Sequence, residues 1–186
     1  RLEVEEREKT HDGLRSRLSP EYIRALLQYS RGLLPPDANG TLRVTFGRVE
    51  GVAERDGLVY LPQTSVAGIV EKNQGKGDFD APARELEAIA AHKGGKKSPY
   101  VDAKLSDVPV NFLASVDTTG GNSGSPALNA KGELIGLLFD GTFDTVGSDI
   151  VYDPLRTRSI LVDIRYMLWV MSEVDGAAHL AAEMGV

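Results

Sequence analysis

The 186-residue sequence suits one domain or a contiguous piece of a larger one, and its 41% apolar residues are enough to build a core. A formal net charge of −6, with 21 scattered basic residues, argues against nucleic acid or an anionic membrane as the main partner. No cysteine is present, which excludes a disulfide framework and a thiolate metal site, and no apolar run approaches the roughly 18 residues of a membrane helix.

The charge-dense opening RLEVEEREKTHDGLRSRL reads as part of a helix already under way, so the chain is expected to be a piece of a longer protein. Ser19-Pro20-Glu21 predicts a fresh helix start, with Ser19 as cap and Pro20 in the first turn. Ile23, Leu26, Leu27 and Leu34 then recur at helical spacing until Pro35–Gly40 interrupts them. From Thr41, the alternation of Leu42, Val44 and Phe46 predicts a strand, and Gly57–Tyr60 a second. Thr64–Lys72 and Ala81–His92 read as short helices, the latter burying Leu86 and Ile89, and Lys93–Pro99 as an exposed loop. Val110–Val116, Ala127–Asn129, Glu133–Phe139 and Ser159–Ile164 read as strands, the middle two joined at Lys131-Gly132. An amphipathic helix is expected over Arg165–Met184, with Leu168, Trp169 and Met171 on its buried side.

The segment that carries chemistry is Gly120-Gly121-Asn122-Ser123-Gly124-Ser125-Pro126. A nucleophilic hydroxyl must project from a tight loop with backbone N–H groups aimed at a developing oxyanion, and glycines permit the backbone angles such a loop needs. Ser123 is the candidate nucleophile, and the amides of Gly121 and Ser123 are the candidate oxyanion donors. The alternative is a glycine-rich hairpin without chemistry. Against it stands the order that follows the loop: strand, turn, strand, polar segment, strand, helix. Together with Gly-x-Ser-Gly-x-Pro, that order resembles the nucleophile half of chymotrypsin-like peptidases.

Four blocks narrow the resemblance: Asp37–Asn39 with Thr41–Gly47, Asp107–Leu113, the Ser123 loop, and Ser159–Trp169. Together they resemble the C-terminal part of the bacterial dipeptidyl-peptidase 7 and 11 family, serine-peptidase family 46. The resemblance implies a mainly β fold with helices. Residues 1–38 would close an α-helical insertion domain, and residues 39–186 would form the second β-barrel of a chymotrypsin-like double barrel with a C-terminal helix. It also implies a periplasmic or cell-surface homodimer that releases dipeptides from the N-termini of oligopeptides without a cofactor. By the same resemblance Asp140 would accept the substrate's free α-amine. Gly141 matches a position that is arginine in members preferring acidic P1 residues and glycine in those preferring hydrophobic ones, so a hydrophobic P1 is expected.

A serine triad also needs a histidine and a carboxylate, which chymotrypsin-like order places before the serine. His92 follows two alanines, but it stands too close to Ser123 for the intervening strands and reads as a cation at a helix C-terminus. His11 reads as solvated and His179 as a surface or packing residue. The base and its carboxylate are therefore expected in a missing N-terminal portion, and this chain alone is expected to be inert. Two rival readings stand. Asp117, six positions before Ser123, could select a basic P1 in a trypsin-like endopeptidase, although it reads more readily as a cap on the turn through Thr119 or Gly120. A catalytically dead peptide-binding or assembly module is the other. No Asp, Glu or His group has metal-ligand spacing, and Asp144, Asp149 and Asp153 read as loop residues.

Overall fold

The computed structural model describes residues 2–31, 42–148 and 152–186. They fall into two compact units, Arg1–Arg43 and Val44–Val186. The breaker Pro35–Gly40 and the boundary expected near residue 38 lie outside the described residues.

The first unit is one helix, α1 (Leu2–Tyr29), which passes through Pro20 without a break. The helix start expected at Ser19 is therefore absent. Ser19 caps nothing; its Oγ donates to the Arg15 carbonyl at 2.7 Å. Proline has no N–H to give the carbonyl four residues back, but Ser16 is exposed and water can meet that need.

The second unit is built on strands β1 (Val52–Arg55), β2 (Leu58–Tyr60), β3 (Gln63–Ser65), β4 (Pro109–Ala114), β5 (Pro126–Leu128), β6 (Leu134–Gly141) and β7 (Ser159–Asp163). The first two pair as a hairpin, and the other five form an antiparallel sheet in the order β3-β4-β7-β6-β5. The sheet is open, so the expected barrel is not closed by these residues. Its edge strands β3 and β5 have three residues each and do not pair with one another, so the sheet lacks the continuous ladder that closure requires.

The strand expected over Leu42–Phe46 does not form among the described residues. Leu42, Val44 and Phe46 are 92%, 79% and 91% exposed, and only Val49 bridges to Ala114. The alternation is present but has no strand beside it to make a ladder.

Two apolar clusters hold the unit together. Phe112, Ala114, Leu138 and Leu161 pack on the sheet, with Val116, Ala127 and Ile135 against them. The Phe112 ring lies over Gly136, where an added β-carbon would stand 2.6 Å from Cε1. The second cluster joins Val66, Ile89 and Trp169 from helices α2 (Val66–Lys72), α3 (Ala83–Lys93) and α4 (Ile164–Trp169) with Val108, the residue before β4. In α3, Ile89 is buried and Leu86 half-buried.

The expected C-terminal helix is shorter and interrupted. After α4 come a π-helical turn, Val170–Val174, and a break at Gly176, whose φ of 66° ends the helix, before α5 (Ala178–Glu183). Trp169 is fully buried, whereas Leu168 and Met171 are half-buried.

Candidate functional site

The loop between β4 and β5 is shaped by its own hydrogen bonds. The Thr119 amide donates to Asn122 Oδ1 (2.9 Å), and the Asn122 amide returns to the Thr119 carbonyl (3.1 Å). Gly121 and Gly124 adopt φ of 93° and 86°, values that an L side chain disfavours.

The loop is tied at both ends. Before it, the buried Ser159 Oγ donates to the Val116 carbonyl (2.9 Å) and lies 2.6 Å from Thr118 Oγ1. After it, the Gly124 amide donates to the Leu138 carbonyl (2.7 Å) and the Leu138 amide to the Ser125 carbonyl (3.0 Å), clamping the loop to β6. The amides of Asn122, Gly124 and Ser125 all have acceptors, whereas those of Gly121 and Ser123 have none among the described residues. The Ser123 side chain is exposed and makes no hydrogen bond there.

β6 bears the other half of the site. Its pairing with β7 shifts register between Leu138 and Asp140, so one extra residue, Phe139, is inserted. Such a bulge re-aims the side chains beyond it. Strict alternation would send Asp140 to the core side with Leu138. With the bulge, Phe139, Asp140 and Gly141 all line a cleft of about 290 Å³ with Ser123, Leu138, Thr118, Thr119, Gly120, Thr145 and Val146. Asp140 Oδ1 accepts the Gly141 amide at 2.8 Å, and the carboxylate forms no ion pair among the described residues. Among the described residues no lining side chain is cationic.

The structure therefore brings Ser123, Asp140 and Gly141 to one cleft, with Gly121 in the adjoining turn. Asp117 does not line it, nor does any histidine. His92 stands in the last turn of α3, only 12% exposed, with Nε2 3.2 Å from Asp107 Oδ1. Asp107 also accepts from Ser65 Oγ (2.8 Å) and the amides of Ala67 (3.3 Å) and Val108 (3.0 Å). These bonds, outweighing burial, hold its carboxyl below the usual range. His92–Asp107 is thus a clamp joining α2, α3 and β4. Sequence reasoning missed Thr118, Ser159 and Thr145, because a threonine in a polar loop and a serine opening a strand carry no pattern of their own.

The family model described as Peptidase S46 matches residues 1–186. The chain is 43% identical to the Asp/Glu-specific dipeptidyl-peptidase of Shewanella putrefaciens over 97% of its length and 28% of that protein's. It is 39% identical to dipeptidyl-peptidase 7 of Phocaeicola vulgatus, over 91% of this chain and 23% of that protein. The crystal structure of Porphyromonas endodontalis DPP11 in complex with the dipeptide Arg-Asp superposes with a TM-score of 0.78 at 38% identity, covering 87% of this chain and 23% of that one. The chain thus spans about a quarter of the relatives it matches.

Proposed function

Because this chain belongs to the peptidase S46 family, we infer that it carries the nucleophile half of a serine dipeptidyl peptidase. The observation behind this reading is the cleft that gathers Ser123, Asp140 and Gly141 beside a loop whose Gly121 and Ser123 amides have no acceptor.

In the proposed reaction Ser123 Oγ attacks the carbonyl carbon of the second residue of a peptide. The amides of Gly121 and Ser123 receive the oxyanion. Collapse of the tetrahedral species expels the remaining peptide as an amine and leaves an acyl-enzyme, which water hydrolyses to free the dipeptide. Asp140 receives the substrate's α-ammonium, a charge-assisted contact that counts residues from the N-terminus. The base that takes the Ser123 proton, and the carboxylate that orients it, come from residues outside these 186, since no histidine lines the cleft.

We propose a hydrophobic P1 preference. Several relatives are described as Asp/Glu-specific and others as dipeptidyl-peptidase 7. Gly141, the absence of a lining cation and the presence of Asp140 favour a neutral side chain over an acidic one.

The test is kcat/KM of the full-length enzyme on matched dipeptidyl substrates with Phe, Leu, Glu or Arg at P1, each with a free and an acetylated N-terminus. A hydrogen bond to a charged group contributes roughly 1.5–3 kcal/mol, so acetylation is expected to lower kcat/KM at least about tenfold. Phe and Leu are expected to exceed Glu and Arg. Equal cleavage of blocked and free substrates would establish an endopeptidase. A Glu preference would require a cation from outside this chain, and an Arg preference would return the role to Asp117.

A further inference from the structure

Gly141 closes β6 with no side chain, and the space that one would occupy is already filled. A β-carbon at position 141 would stand 2.4 Å from Thr145 Oγ1, 2.6 Å from its Cγ2 and 2.9 Å from its Cβ. Contacts this short do not occur between real atoms, so one residue must move to admit the other. Gly141 does not have the left-handed backbone that would by itself demand glycine. The steric demand comes from Thr145.

Thr145 is poorly placed to yield. It sits in the short 3₁₀ turn Phe143–Gly147 that follows β6. Its Oγ1 donates to the Thr142 carbonyl at 2.6 Å, which its own amide also reaches at 2.8 Å. Its carbonyl accepts from the Ser148 amide (3.0 Å) and Ser148 Oγ (2.7 Å). A β-branched side chain has few alternative rotamers, and turning this one would break the bond to Thr142.

Thr142 is anchored in turn. Its amide donates to the Arg158 carbonyl (2.9 Å), and its Oγ1 accepts the Arg158 amide (3.2 Å). Arg158 is 5% exposed, and its guanidinium reaches the carbonyls of Gly51, Pro154 and Thr157 and the carboxylate of Glu50. The turn therefore rests on a buried, multiply bonded arginine.

Thr145 and Gly141 both line the cleft with Ser123. We propose that Thr145 is a specificity-determining residue, which fixes the room available to the P1 side chain and which residues position 141 can hold. The proposal rests on the reading of this cleft as the substrate site. Because the Thr145 hydroxyl proton is committed to Thr142, the residue offers bulk to the cleft and no free donor to an acidic side chain.

The experiment uses the full-length enzyme with Thr145→Gly, Thr145→Ser, Gly141→Ala and the double variant Gly141→Ala/Thr145→Gly. The readouts are kcat/KM for free dipeptidyl substrates with Ala, Leu or Phe at P1, and Tm. One methylene in an apolar pocket changes kcat/KM by about 10–200-fold. Thr145→Gly is expected to raise the Phe-to-Ala ratio at least about tenfold. Thr145→Ser keeps the tie to Thr142 and should shift the ratio in the same direction by less, even if the glycine variant folds poorly. Gly141→Ala alone should lower Tm and Leu turnover, and in the Thr145→Gly background it should do neither.

Phe-to-Ala ratios within about twofold of wild type in both Thr145 variants would overturn the proposal. So would a Gly141→Ala effect of equal size in the two backgrounds. An enzyme that cuts blocked peptides internally would overturn the exopeptidase reading alone, because its P1 ratios on those peptides still report on Thr145. An enzyme that cuts no peptide would overturn both, with the Tm coupling left as a purely steric finding.

Discussion

Ser123 and Ser125 lie two positions apart in one loop, yet their backbones do different work. Ser125 directly precedes β5 and is tied down, its amide bonded to the Asn122 carbonyl and its carbonyl to the Leu138 amide. Ser123 stands at the exposed crest, where its amide and hydroxyl have no partner among the described residues. In the full-length enzyme Ser123→Ala is expected to abolish peptide hydrolysis, a loss of at least about 10³-fold, since one oxyanion donor alone is worth about 10²–10³. Ser125→Ala should retain substantial activity. A dead Ser125→Ala beside an active Ser123→Ala in the same assay would reassign the nucleophile. The glycine pattern made this loop legible, because few other residues tolerate its angles. His92 was less legible: its position at a helix end suggested a cation there, and only the fold brings Asp107 to its Nε2.

Among the elements, α4 has the most strongly charged attachment. Asp163, its N-cap, accepts the Arg165 amide and Nε, both at 2.9 Å. The same guanidinium reaches across to Asp102 at 2.7 Å. That bond, with the amides of Leu105 and Lys104, lowers the Asp102 carboxyl from the ordinary 3.8 to about 2. A carboxyl depressed in the folded state contributes stability that is fully present above its unfolded pKa and is lost as pH falls through the folded value. Tm should therefore drop between about pH 4 and pH 2, and Asp102→Asn should be less stable at neutral pH and show a shallower drop. An unchanged acid limb in the variant would remove Asp102 from the account. Elements whose partners lie nearby in sequence could be read in advance, as with β5, β6 and their turn at Lys131-Gly132. The continuity of α1 through Pro20 could not, because an interior proline loses the bond to the carbonyl four residues back and crowds it, which ordinarily marks a boundary. Nor could the fate of Leu42–Phe46, since alternation tells which sides a strand would have but not whether a neighbour exists.

For the whole molecule, the fact that governs function is that the chain spans about a quarter of its relatives. Among the described residues its cleft holds a serine and a carboxylate, beside two amides without acceptors, but no histidine. The 186-residue chain by itself is expected to react with a fluorophosphonate no faster than free serine, whereas the full-length enzyme should label stoichiometrically through Ser123. Rapid labelling of the isolated chain at neutral pH would show that a base is present within it. The family could be read from the sequence because its motifs are contiguous, and the fold then brings Ser123, Asp140 and Gly141 to one cleft. The open sheet could not, since closure depends on strand lengths and on neighbours that no local pattern reports. The extra residue at Phe139 gives β6 two separate obligations. Leu138 packs with Phe112 and Leu161 and also borders the cleft, whereas Phe139, Asp140 and Gly141 border the cleft without joining that cluster. Beyond Leu138 the strand can therefore change what it presents to the cleft without the core having to be rebuilt.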